Sequence, residues 1–118
     1  MQYMLMLYET AEDLAHRPEG RNGEYWAGWA AYVEALRKSG IVRAGAGLEP
    51  PATAATLRTR RGARKVQDGP FADAKEQLGG FFVVETASLE EALEWAARAP
   101  CASTGGVEVR PVMPPQYR

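Results

Sequence analysis

Leu78-Gly79-Gly80-Phe81-Phe82-Val83-Val84-Glu85, followed after Thr86-Ala87 by Ser88-Leu89-Glu90-Glu91-Ala92-Leu93, is the stretch that decides the fold class. In an extended chain successive side chains point to opposite faces, so Phe81 and Val83 share one face while Phe82 and Val84 share the other. A strand apolar on both faces belongs inside a sheet with something packed on each side. Ser88 and Glu91 then form an S-x-x-E capping box, and Leu89, Ala92, Leu93, Ala96 and Ala97 give the stripe of a helix that Pro100 closes.

The same pattern extends in both directions. Gln2 to Glu9 is a second strand apolar on both faces, with Tyr3, Leu5 and Leu7 opposed to Met4, Met6 and Tyr8. Thr10 to Gly23, interrupted by Pro18, Gly20 and Gly23, reads mostly as loop, with Asn22 as the cap of a helix over Glu24 to Ser39. Within that helix Trp26, Trp29, Val33 and Leu36 recur at helical spacing, Tyr25, Gly28 and Tyr32 widen the aromatic surface, and Gly40 supplies the stop. Ile41 to Leu48 reads as a strand loosened by Gly45 and Gly47, where a bulge or a close approach is expected. Pro50-Pro51 ends it. Thr53 to Arg60 and the chain returning through Gly62 toward Val66 make a hairpin, and Val107 to Arg110 forms the last strand.

This order predicts an α+β fold of the ferredoxin-like split βαβ kind with an extra hairpin. Two helices so placed cover one face of the sheet, whereas two of its strands are apolar on both. The uncovered face therefore predicts a homodimer packed sheet against sheet.

The 118 residues suit a single domain over residues 1–112, with the proline-containing residues 113–118 as a C-terminal extension. A formal net charge of −1 provides no field for phosphate backbones or anionic lipid, so neither nucleic acid nor membrane is an expected partner. One cysteine, Cys101, and one histidine exclude an intramolecular disulfide and a Cys/His zinc site, and a cytoplasmic location is expected. No cofactor or metal is expected. Asp13, His16 and Glu19 lie in a stretch with no fixed face, and the basic run Arg58, Arg60, Arg61, Arg64 and Lys65 reads as the solvated guard of a hairpin edge.

Asp68-Gly69-Pro70-Phe71 carries the most informative polar group. An Asp-Gly turn is ordinarily held by the carboxylate accepting from the N–H two residues on, but Pro70 has none. Asp68 either caps the turn through the Phe71 N–H or is a functional carboxylate. Glu108 and Arg110 share a strand face, as an edge ion pair or as a means of fixing a ligand carboxylate.

The opening M-x-Y-M-L-x-L-Y, the aromatic helix, Gly47-Leu48-x-P-P-A-T-A, the Asp68-Gly-Pro-Phe segment, Leu89 to Ala97 and Val107 to Val112 together resemble the YCII-related, or DGPF, family of small bacterial proteins. The resemblance implies a dimeric α+β barrel. It also implies a cavity near Asp68, Glu76, Glu108 and Arg110, each of which sits in or beside a matching motif. Enzymatic members of the wider group pair a histidine early in the first helix with an aspartate. This chain has Trp29 near that position, its only histidine, His16, precedes the helix, and Ala46 stands where relatives carry an acid. The leading expectation is a homodimeric small-molecule-binding protein with a pocket between the sheet, the first helix and the Asp68 loop, where Trp29 gives apolar contact and Arg110 an anionic anchor. The alternatives are a small lyase, isomerase or hydrolase using Asp68 as general acid or base, and a regulatory module with a protein partner linked to a sigma factor.

Overall fold

The structure is a computed structural model that describes residues 1–20 and 22–117; Arg21 and Arg118, the last residue of the expected extension, lie outside it. Among the described residues, six strands and three α-helices follow in the order β1 (Gln2–Thr10), α1 (Ala11–Ala15), α2 (Glu24–Ser39), β2 (Val42–Gly47), β3 (Ala55–Arg60), β4 (Ala63–Asp68), β5 (Glu76–Glu85), α3 (Leu89–Ala97) and β6 (Gly106–Pro111). Strands β2, β5, β1 and β6 lie side by side in that order, every neighbour antiparallel, while β3 and β4 form a separate hairpin. This is the ferredoxin-like split βαβ arrangement, with the hairpin inserted between β2 and β5.

The alternation read from sequence sets the two faces of the sheet. Tyr3, Leu5 and Leu7 of β1 are buried with Val84 of β5 against Tyr32 and Leu36 of α2 and Ala92 and Ala96 of α3. Tyr32 ties the two long helices together, its hydroxyl donating to the Trp95 carbonyl at 3.0 Å. On the opposite face Met4, Met6, Phe81 and Val83 are only half-buried, since among the described residues no helix covers them.

Four sequence expectations change in detail. The segment after β1, read as loop, contains α1, because Thr10 and Asp13 form a reciprocal cap: the Thr10 hydroxyl accepts from the Asp13 N–H at 3.1 Å and the Asp13 carboxylate accepts from the Thr10 N–H at 3.0 Å. A turn of 3-10 helix, Arg17–Glu19, follows, and the N-cap of α2 is Gly23, not Asn22. In α3 the small Ala92 and Ala96 let the helix approach the sheet, which leaves Leu89 and Leu93 exposed and not in the expected core stripe. Finally, sheet pairing runs past Pro111, since the Val112 N–H donates to the Gln2 carbonyl at 2.9 Å. Pro111, whose nitrogen has no hydrogen to donate, closes an edge strand, where that loss is tolerated.

Candidate functional site

Glu9 continues the inward face of β1, so the period that buries Tyr3, Leu5 and Leu7 also buries a carboxylate. A buried charge needs a partner, and Arg17, from the 3-10 turn behind α1, supplies it: Nη2 lies 2.5 Å from Glu9 Oε2. The same guanidinium donates to the Gly79 carbonyl at 3.2 Å and, through Nη1, to the Leu48 carbonyl at 2.5 Å. One arginine thus joins β1, β5 and the chain leaving β2. The Trp26 indole completes the clamp from α2 by donating to the Arg17 carbonyl at 2.7 Å.

Gly79 makes the clamp possible. The β1–β5 register slips between Leu7 and Tyr8, which pair with Gly80 and Leu78, so Gly79 is the extra residue of a bulge. A Cβ at Gly79 would overlap the Glu9 carboxylate and approach Arg17 Nη2 to 2.9 Å. Beside it, a Cβ on Gly80 would come within 2.9 Å of the Ala46 carbonyl, and one on Gly45 within 2.5 Å of the Phe82 ring. The expected close approach at β2 is therefore present, and its result is a floor of nearly bare backbone.

Over that floor lies a cavity of about 680 Å³. Trp26, Trp29 and Val33 of α2 form its roof, Gly45–Gly47 and Gly79–Gly80 its floor, and Glu9 with Arg17 its polar end. Trp29 meets Tyr32 edge to face at 6.0 Å, and Tyr32 meets Phe82 at 6.1 Å, so the indole is fixed by the core behind it. Among the described residues, Glu9 Oε1, Arg17 Nε and the Tyr25 hydroxyl are buried without a hydrogen-bond partner, and all three belong to residues lining this cavity. Burial pushes the Glu9 carboxyl above its ordinary value of 4.5, outweighing the hydrogen bond and charge of Arg17, which act the other way.

A second cavity of about 320 Å³ lies on the other side of the start of α2, between His16, Tyr25, Trp29 and Cys101. His16 Nδ1 lies 2.7 Å from Glu19 Oε2, which raises the imidazole pKa, and Asp13 is already engaged by its cap and by the Thr104 hydroxyl at 2.7 Å. Among the described residues no group of three or more His, Cys, Asp or Glu side chains is arranged to hold a metal. Burial pushes the Cys101 thiol up to about 12, so it stays protonated and is a poor nucleophile.

Of the residues singled out from sequence, Trp29 lines the large cavity. Asp68 is exposed at the end of β4, where the turn is held by the Gly69 N–H donating to the Ala54 carbonyl at 2.7 Å and by the Thr56 hydroxyl donating to the Gly69 carbonyl at 2.9 Å. Glu76 is exposed at the start of β5, opposite Thr10. Glu108 and Arg110 pair with each other on β6 opposite Met6 and Met4, on the uncovered face of the sheet. The structure therefore does not gather Asp68, Glu76, Glu108 and Arg110 around the cavity that holds Trp29. Glu9 and Arg17 take the polar role there. The signal for Glu9 was its parity with Tyr3, Leu5 and Leu7, a charge on an otherwise apolar face.

A ferredoxin-like split βαβ sheet with one helix-covered face defines the fold class. The chain belongs to the YCII-related domain family, whose model matches residues 1–116. It is similar to an uncharacterised protein of Rhizobium meliloti, 48% identical over 83 residues, a match covering 69% of this chain and 64% of that relative. The match thus spans slightly less than two thirds of the relative's length. Among solved structures it is similar in fold to the 5-chloro-2-hydroxyhydroquinone dehydrochlorinase TftG of Burkholderia phenoliruptrix, held in complex with 2,5-dihydroxybenzoquinone. That match has a TM-score of 0.57 and 18% identity, covering 100% of this chain and 99% of the neighbour. Among the described residues no helix is long and apolar enough to cross a membrane.

Two predictions follow from the clamp. Gly79→Ala should cost about 3–5 kcal/mol in denaturant unfolding, as expected for breaking a buried ion pair. Gly47→Ala, whose Cβ would meet nothing within 4 Å, should cost no more than about 1 kcal/mol. The second concerns pH. A carboxyl whose folded pKa is raised contributes stability below its unfolded pKa and loses it as pH rises through the folded value. The melting temperature of the parent minus that of Glu9→Gln should therefore fall as pH rises from 4.5 toward neutrality. A flat difference would contradict the dominance of burial over Arg17 at the Glu9 carboxyl.

Proposed function

We propose that this protein is a homodimeric small-molecule-binding protein whose ligand is a flat, largely apolar ring compound with a hydrogen-bonding edge. The observation that carries this reading is the shape and chemistry of the large cavity. A floor of glycine backbone and a roof of Trp26 and Trp29 leave a slot suited to a planar molecule, and the unpartnered polar atoms of Glu9, Arg17 and Tyr25 lie at one end. The Glu9–Arg17 pair is neutral as a unit, so an uncharged donor or acceptor fits it better than a free anion. The dehydrochlorinase of similar fold holds 2,5-dihydroxybenzoquinone, a planar ring, which makes hydroxylated ring compounds the first set to screen. The dimer is proposed to form through the face carrying Met4, Met6, Phe81 and Val83, and the working location is the cytoplasm.

A second reading is favoured by Glu9 itself. A carboxyl with a raised pKa in a largely apolar cavity suits general acid or base work on the bound ring. It differs from the assignment of that role to Asp68, which lies outside the cavity lining.

Melting and tryptophan emission in the presence of 2,5-dihydroxybenzoquinone and simpler hydroxylated benzenes test the binding site. At least one compound should raise the melting temperature, and Trp29→Ala should weaken its binding about tenfold, roughly 1.4 kcal/mol. No shift with any member of the set would contradict the reading. With a binding compound in hand, Glu9→Gln should abolish any turnover while binding is retained, and Asp68→Asn tests the other carboxylate. For the assembly, sedimentation should give twice the chain mass; a stable monomer at micromolar concentration would overturn it.

A further inference from the structure

Leu48, Glu49 and Pro50, where the chain leaves β2, line the large cavity and are exposed, so they form its rim. Leu48 is anchored through both its backbone groups: its N–H donates to the Gly79 carbonyl at 2.8 Å, and its carbonyl accepts from Arg17 Nη1. Pro50 is anchored in turn, its carbonyl accepting from the Thr53 N–H at 2.9 Å and from the Thr53 hydroxyl at 2.7 Å. Glu49 stands between these two fixed points, and a residue before proline is biased toward extended backbone. A rigid frame thus presents an exposed carboxylate at the mouth of the cavity. Among the described residues that carboxylate is in no ion pair.

The rest of the wall decides which ligand charge suits it. The charged side chains lining the cavity are Glu9, Arg17 and Glu49. Both terminal nitrogens of Arg17 are already taken, by Glu9 and by the Gly79 and Leu48 carbonyls, and its Nε is buried. The Trp26 indole N–H is spent on the Arg17 carbonyl. Among the described residues the lining therefore keeps no exposed cation for a ligand carboxylate or phosphate. Glu9 and Arg17 offset each other, so the uncompensated charge of the wall is the negative one of Glu49. Tyr25, Trp26 and Trp29 add electron-rich rings to the same wall. The smaller cavity, which shares Tyr25 and Trp29 with this one, is lined by Asp13, Glu19 and Glu24, with His16 bound to Glu19, so the field beyond the shared wall has the same sign.

We infer that the ring compound taken by the large cavity carries a cationic amine, which Glu49 receives at the rim while the ring lies between the tryptophan roof and the glycine floor. The inference rests on the ring-binding reading proposed above and adds to it the charge of the ligand. An exposed ion pair and a cation–π contact are each modest, and together they correspond to a preference of about tenfold.

The test is calorimetric binding, at low salt, of three compounds that share one hydroxyphenyl-ethyl frame and differ in its end group. Tyramine ends in an ammonium, tyrosol in a hydroxyl and para-hydroxyphenylpropionate in a carboxylate. Tyramine should bind about tenfold more tightly than tyrosol, and the carboxylate should bind most weakly. Glu49→Gln should cut the advantage of tyramine over tyrosol to about threefold. Glu94→Gln, which removes an exposed carboxylate outside the cavity lining, should leave that advantage at its parental value. Equal affinities for tyramine and tyrosol, a preference for the carboxylate, or the same ratio in the Glu49 and Glu94 variants would overturn the inference and leave the ring-binding cavity standing. If none of the three binds while a compound of the hydroxylated benzene set does, this inference alone falls; if neither set binds, both fall.

Discussion

Gly79 has no side chain, and the polar end of the cavity depends on that absence. A bulge in β5 lets the Glu9 carboxylate lie against bare backbone, where Arg17 reaches it together with the carbonyls of Gly79 and Leu48. Without the clamp, the chain leaving β2, the short turn after α1 and the inner end of β1 would have no common anchor. With it, three segments far apart in sequence meet around one guanidinium. The arrangement is high-stakes because the Glu9 carboxylate is buried: Arg17 lost from the pair leaves it an uncompensated ion, at a cost several times that of a surface bridge.

The clamp also explains why the site is a slot and not a filled core. Large side chains on β2 and β5 would occupy the space beneath α2, but Gly45, Gly47, Gly79 and Gly80 leave it open, and Arg17 anchors the chain at its edge through the Leu48 carbonyl. Tyr32 and Phe82 fill the interior behind Trp29, so the indole faces the opening from a rigid support. The enclosed acid gains its raised pKa from the same dry surroundings that would favour a ring compound. Binding and proton chemistry are thus two readings of one physical environment.

Much of the fold was legible because strands such as Gln2–Glu9 and Leu78–Glu85 write the burial of both faces into their alternation, and Ser88 with Glu91 writes the start of α3. Trp29 was legible by its place on the helix. Legibility ended where a function needs residues from different elements. Arg17 stands in a stretch that reads as loop, and nothing local says that it turns back to Glu9. Glu9 could have been found by parity alone. The motif around Asp68 stands at the end of the β3–β4 hairpin, where the turn is held by Ala54, Thr56 and Gly69. Leu89 and Leu93 misled because helical spacing tells which residues share a face, but the small Ala92 and Ala96 decide how that face meets the sheet.

The most direct measurement of the clamp is the titration of the Glu9 side-chain carboxyl followed by carbon-13 NMR in the parent protein. The account predicts a midpoint above 4.5, separated from those of exposed glutamates such as Glu90 and Glu94. A midpoint at 4.5 that Arg17→Gln does not move would mean a solvated carboxylate without a partner, and the pair on Gly79 would not be the feature that organises this protein.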